Sequence, residues 1–265
     1  MKKYLLLIAI CISIIAPYKL YAFDLTVGAS TWYTWWDIKQ ERRTLFSVYK
    51  NTDMEPTFLV GPVLSLKFND DFNLSFIFLT TVSKFDCERS GEQMGYYGLS
   101  FVTNKGKADR TDADLTLNYR LNDYFKVFAG AKYLSTSYTI TIGGEEFSSY
   151  GPGIGLGFTL PILDNLFLLA NLSGFYLWGH EKRPEDALSV SLLGIASGGD
   201  NTRINDYGIN STLSLAYYIA PASTTVSLGG RYQYIKTNYD TKGNVEPRKC
   251  TFYGVTLSAT YTFSF

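Results

Sequence analysis

The chain has 265 residues, with 24 Lys and Arg against 24 Asp and Glu, so it carries no positive excess to hold a nucleic-acid backbone. Aromatic residues make up 16%, and past position 22 no run approaches the roughly 18 consecutive apolar residues of a membrane-spanning helix. Behind an export leader, those features leave an exported β-protein: a soluble one, or a barrel of the outer membrane.

The leader is "MKKYLLLIAICISIIAPYKLYA", residues 1–22, with two lysines, an apolar core from Leu5 to Ala16 and the small Ala22 at the cut. Leu20 departs from the small-x-small rule, and the bulky Ile10 before Cys11 argues against a lipoprotein. Residues 23–265 then make one domain.

Ten segments alternate with the period of two that puts successive side chains on opposite faces of a strand. In chain order they are 23–36, 57–68, 72–83, 111–121, 124–140, 150–160, 166–178, 207–219, 224–236 and 251–265. The connections alternate as well. "NDD", "ND", "PILDN" and "APAST" are short and carry turn chemistry, whereas 38–55, 85–110, 141–149, 180–206 and 237–249 read as long loops. Short turns at one end and long loops at the other are the asymmetry of a transmembrane barrel, and an even count puts both termini at the short-turn, periplasmic end. The segments 96–103 and 187–196 would raise the count to twelve, but they break the short–long rhythm and read better as strand extensions above the membrane.

The terminal run "TFYGVTLSATYTFSF" places Tyr253, Val255, Leu257, Ala259, Tyr261, Phe263 and Phe265 on one face, and Gly254, Thr256, Ser258, Thr260, Thr262 and Ser264 on the other. Its "YTFSF" ending, with apolar residues at every second position up to Phe265, resembles the bacterial outer-membrane β-barrel proteins. That resemblance covers 23–265 and is one of architecture. It implies an antiparallel up-and-down barrel in outer-membrane lipid, and a terminal strand read by the barrel-assembly machinery through Tyr261, Phe263 and Phe265.

With the apolar face toward lipid, "YGPGIGLGFTL" turns Gly151, Gly153, Gly155 and Gly157 into the lumen. The spacing is not that of a phosphate-binding glycine loop, which opens a helix after a strand. A bare inner face makes room for bulk from neighbours, here Phe167, Leu169, Phe175 and Leu177 of the next segment, or leaves a shallow apolar ligand groove. Parity also sends Asp112 and Asp114 inward, and a turn at Asn122–Tyr124 sets Asp114 opposite Lys132. Arg120, Lys126, Lys67 and Arg231 join a mixed-charge interior, which either pairs off and fills the lumen or lines a pore whose selectivity it sets.

Ten strands and this length resemble the omptin surface proteases, whose Asp-Asp and His-Asp pairs stand at the extracellular mouth. His180 is the single histidine and lies at that end, but no Asp-x-His contains it, and Asp86 in "KFDCERS" has no second Asp two residues away. Parity turns His180 outward, which also weakens a Ser-His lipid hydrolase. No catalytic residue and no cofactor is assigned. Two cysteines, Cys87 and Cys250, remain at the long-loop ends, where export permits a disulfide or leaves two thiols. With one distant histidine they make a poor metal set. On the first strand, Tyr33 and Trp35 face outward as a girdle, and Trp32 and Trp36 face inward as upper-lumen filling or, less simply, a sugar platform. Three functions follow: a narrow pore or small-solute-binding barrel first, a surface interaction barrel second, and a membrane-embedded hydrolase third.

Overall fold

The computed structural model describes residues 23–43, 47–95, 98–140, 143–182, 201–240 and 246–265; the leader at 1–22 and the segment 187–196 lie outside the described residues. Twelve strand segments are present: β1 (Asp24–Arg43), β2 (Ser47–Met54), β3 (Thr57–Lys67), β4 (Phe72–Thr81), β5 (Phe85–Gly95), β6 (Gly98–Arg120), β7 (Phe125–Ile140), β8 (Gly143–Leu163), β9 (Leu166–Lys182), β10 (Asn201–Ile219), β11 (Thr224–Tyr239) and β12 (Arg248–Ser264).

These segments make a closed ten-stranded antiparallel barrel. Each strand pairs with its chain neighbour, and β12 closes on β1 from Asp24↔Ser264 to Lys39↔Lys249. β2 and β3 are one wall strand interrupted at Glu55–Pro56, where proline has no N–H to give the ladder. β4 and β5 are likewise one strand interrupted at residues 82–84. The two breaks lie side by side, because Met54 pairs with Cys87 just above them and Leu59 with Thr81 just below.

The outward face fixes where lipid lies. Tyr33, Trp35, Phe58, Tyr232 and Tyr253 mark one aromatic row, with Trp35 stacked on Tyr253 at 5.8 Å. Phe72, Tyr119, Phe125, Phe158, Tyr261 and Phe263 mark the other. Phe265 at the lower end stacks on Phe23 at 4.9 Å. From Tyr253 to Phe263, ten steps of about 3.4 Å at a tilt near 40° span about 26 Å, the height of an outer-membrane apolar band. Between the rows the outward residues of β12 are Val255, Leu257 and Ala259, without a charge.

Above the upper row the pattern inverts. Outward positions become Asp37, Lys39, Asp86, Glu88, Lys105, Lys107 and His180, while inward ones become mainly apolar, Ile38, Phe85, Cys87, Ala108, Tyr138, Phe147, Ile204 and Ile235, with a buried polar group of Glu181, Asp206, Thr237 and Arg248 among them. This inversion corrects the long-loop reading of 38–55, 85–110, 141–149, 180–206 and 237–249. Much of that length is strand: β5 and β6 run up to a Gly95↔Gly98 pairing, and β7 and β8 to Ile140↔Gly143. Alternation persists there with its sense reversed, because the exterior is now water. Residues 98–103 are accordingly the top of β6 and not an added strand of the wall.

The belt predicts a sharp asymmetry. Leu257→Arg, outward and mid-belt, should destabilise the barrel in lipid vesicles by about 2–4 kcal/mol, against near zero for Lys105→Leu on the water-facing extension. Denaturant unfolding of both variants in the same vesicles checks this.

Candidate functional site

The lumen is built in three storeys by parity alone. At the upper girdle, Trp32, Leu59 and Leu177 are fully buried, and Trp36, Phe175 and Phe252 nearly so. These side chains come from β1, β3, β9 and β12, on facing walls, and meet in the middle. Trp32 and Trp36 therefore fill the upper lumen, and the edges of their rings pack on Phe252 at 6.5 and 4.8 Å.

Below this plug lies a charge cluster. Asp114 stands opposite Lys132 in the β6–β7 ladder, and the Leu121–Phe125 closure is held by Asn122, whose side-chain oxygen accepts from the backbone N–H of Tyr124 and Phe125. Lys132 Nζ donates to Asp112 Oδ1 at 2.6 Å and to both oxygens of Asp114 at 2.9 Å. Across the lumen, Arg231 Nη2 reaches Asp112 Oδ2 at 3.1 Å, and its Nε donates to Asn210 at 2.9 Å. Arg110 adds a third cation at 3.4 Å and also donates to Gln233. Asp112 is 1% exposed. Arg110 and Arg231 lie face-on over Phe252 and Trp32, at 3.9 and 4.3 Å, so the plug covers the cluster with ring faces that attract cations.

The glycine strand explains the lowest storey. Along the β7–β8 ladder, Lys126, Phe128, Gly130 and Lys132 stand opposite Gly157, Gly155, Gly153 and Gly151. A Cβ at Gly157 would sit 2.4 Å from Lys126 Cε, and one at Gly155 would sit 2.3 Å from Phe128 Cζ. The bare face is thus occupied mainly from β7; of the four β9 residues expected there, Phe175 approaches Gly153, at 3.6 Å, and Leu177 lies at Gly151, whereas Phe167 and Leu169 stand opposite Pro161 and Thr159, beyond the glycines. Where Gly130 meets Gly153, neither wall projects a side chain. A cavity of about 210 Å³ opens there, bordered by Asp114, Lys132, Arg231, Asn118, Asn171, Ser173, Phe128 and Phe175. A vestibule of about 350 Å³ lies below it at the short turns, and Ser75, Asn118 and Lys126 border both spaces.

Two residues expected inside are placed at the mouth. Arg120 pairs with Asp123, and Lys67 pairs with Asp70 at 2.9 Å; both side chains are about half exposed. Parity does point them inward, but they stand at strand ends, where turn carboxylates reach them. Lys67 holds the Asp70 carboxyl below its ordinary range through that hydrogen bond.

Other expectations need correction or placement. Cys87 and Cys250 are buried lumen-side thiols with no bond between them. They stand on β5 and β12, separated by β2 and β1, so three spacings of about 4.8 Å part them along the wall, whereas a disulfide needs Cα atoms about 4.4–6.8 Å apart. The stretch 85–110 that carries Cys87 is the β5–β6 hairpin, held in the wall and not folded over the mouth toward Cys250. Asp86 and His180 both point outward and do not face each other across a groove; His180 pairs in register with Ser148 and Arg203. Among the described residues there is no cluster of three metal-ligating side chains. Sequence reading missed Arg110, Gln233 and Asn210. Arg110 fell in a stretch read as loop, although its spacing of two from Asp112 placed it on the same face.

The cluster generates a test. Asp112→Ala leaves Arg110 without its carboxylate and Lys132 and Arg231 on the partly exposed Asp114 alone, and breaking a buried pair typically costs about 3–5 kcal/mol. Asp123→Ala at the mouth should cost about 0–1 kcal/mol. Unfolding midpoints of the two variants in one lipid system check the contrast. Gly155→Phe, which collides with Phe128, should cost about 1–3 kcal/mol by overpacking.

No family model matches the chain, and no curated protein matches it either. Among solved structures, the outer-membrane protease OmpT from Escherichia coli aligns with a TM-score of 0.61 at 9% identity, over 93% of this chain and 99% of that one. OprG from Pseudomonas aeruginosa aligns at 0.35 and 12% identity, over 91% and 95% of the two chains. Ail of Yersinia pestis aligns at 0.35 and 12% identity, over 90% and 99%. At 9% identity the likeness to the protease is one of fold, and the fold is that of the outer-membrane β-barrels.

Proposed function

We propose that this chain is a closed, non-conducting outer-membrane barrel that receives a small solute in a cup open to the periplasm. One observation carries the reading: the lumen is packed shut at Trp32, Leu59 and Leu177, yet below the charge cluster a chamber shares Ser75, Asn118 and Lys126 as lining with the vestibule at the short turns. Of the two forms of the first expectation, pore and solute binder, this geometry favours the binder. A conducting path would have to displace a fully buried tryptophan and a carboxylate held by three cations. The reading needs no catalytic group, and Asp86 and His180, both outward, offer none to a solute in the lumen.

A second reading, a surface interaction barrel, is supported by the strands above the girdle. They carry a polar exterior around a mainly apolar, closely packed interior, the build of a rigid β-barrel held above the lipid. Such an extension would present a surface partner with a fixed frame.

Two measurements test the cup. Planar-bilayer recording should find no steady conductance in the wild type and openings in Trp32→Ala/Leu59→Ala. Thr116→Cys, which lines the chamber, should react with a membrane-impermeant thiol reagent from the periplasmic side only, over a background in which Cys87 and Cys250 are buried. Wild-type conductance, or labelling from the extracellular side, would show the lumen to be a through-path.

A further inference from the structure

The lower lumen holds four cations, Arg110, Lys126, Lys132 and Arg231, against two carboxylates, Asp112 and Asp114. Three of the cations share those carboxylates at 2.6 to 3.8 Å. Lys126 does not. Among the described residues no acidic side chain offsets its charge. Its stem lies in the space left by Gly157, inside the wall and above the rim pairs, so the rim aspartates Asp70 and Asp123 serve Lys67 and Arg120 instead. An ammonium drawn out of bulk water beside an existing positive excess is costly to hold without an anion.

What surrounds Lys126 describes the anion that would join it. The chamber beside it is bordered by Asn118 and Ser173, whose side chains donate to Asn73, Ser75 and Asn210, and by Asn171, whose amide nitrogen gives one hydrogen to Thr212 and keeps a second for an anionic oxygen. Phe128 and Phe175 give the same chamber an apolar flank. At about 210 Å³ it is smaller than the roughly 300–1,000 Å³ of pockets for drug-sized ligands. The gap exists because Gly130 and Gly153 face each other, and a Cβ at Gly153 would meet nothing nearer than 3.4 Å.

We infer that the chamber binds a small organic carboxylate entering from the periplasm, its anionic end at Lys126 and its apolar body against Phe128 and Phe175. This rests on the cup being open at the short turns, and it names the class of solute the cup takes.

The test uses the full barrel in lipid nanodiscs, with benzoate, benzyl alcohol, benzylamine and inorganic phosphate as probes, read by calorimetry. Benzoate should bind, benzylamine should not, and benzyl alcohol and phosphate should each bind at least tenfold more weakly than benzoate. Lys126→Met should weaken benzoate at least tenfold while heat-modifiable gel mobility stays that of the folded barrel. Gly153→Leu, which fills open space, should abolish binding with the barrel still folded. Equal binding of benzoate and benzyl alcohol, unaltered by Lys126→Met, would overturn the anion assignment. Phosphate binding that excludes benzoate would overturn the apolar body. If no probe binds although Thr116→Cys is labelled from the periplasm, this inference fails and the open cup stands; if Thr116→Cys is not labelled, both fail.

Discussion

Asp112 is reached by Lys132 from the neighbouring strand β7, by Arg110 from its own strand, and by Arg231 from β11, across the lumen. A carboxylate at this depth would cost several kcal/mol to desolvate, and excellent pairing is what makes it tolerable. The requirement reaches outward from that one side chain. It fixes the rotation of β6 and β7 relative to lipid, since a one-residue slip would send Asp112, Asp114 and Lys132 into the hydrocarbon. It also demands a cover, which the faces of Phe252 and Trp32 supply, and that cover is the floor of the plug.

The barrel is two proteins stacked on the same strands. Through the lipid belt its exterior is apolar and its interior polar; above the belt the exterior turns polar and the interior mainly apolar, around a buried group of Glu181, Asp206, Thr237 and Arg248. The change occurs where the medium outside changes from hydrocarbon to water, and the wall marks that height. Phe58 is the last girdle residue of β3, and Glu55–Pro56 interrupts the wall strand just above it, beside the break at residues 82–84. Because the upper interior is a packed core, the extension is held up by its own burial and not by the membrane. Trp32, Leu59 and Leu177 are packed together at its base, with the chamber and the vestibule below them, and the proposed cup rests on that asymmetry.

The glycine strand shows how a strand's composition can serve its neighbour. Its four inward glycines accommodate Lys126 and Phe128 and, at Gly153 opposite Gly130, leave a void. Bulk folded across from one side and absence facing absence are two uses of one bare face. Only the second makes a chamber.

Period two is a property of the extended backbone, and it travels with the covalent chain. From it came the ten strands, the outward belt, the inward Asp112 and Asp114, and, through the turn at Asn122–Tyr124, the pairing of Asp114 with Lys132. Above the girdle the same rule is ambiguous, because alternation does not say which medium lies on which side, and 85–110 reads as loop for that reason. Contacts around and across the barrel are of another kind. That Lys126 and Phe128 of β7, and not Phe167 and Leu169 of β9, lie against the glycine face, that Cys87 and Cys250 stand too many strands apart to bridge, and that Arg231 reaches Asp112 from the far wall all depend on the strand order after closure and on the barrel's radius. Local periodicity specifies the face a residue occupies. Which residue it meets across the lumen is decided only when the last strand pairs with the first.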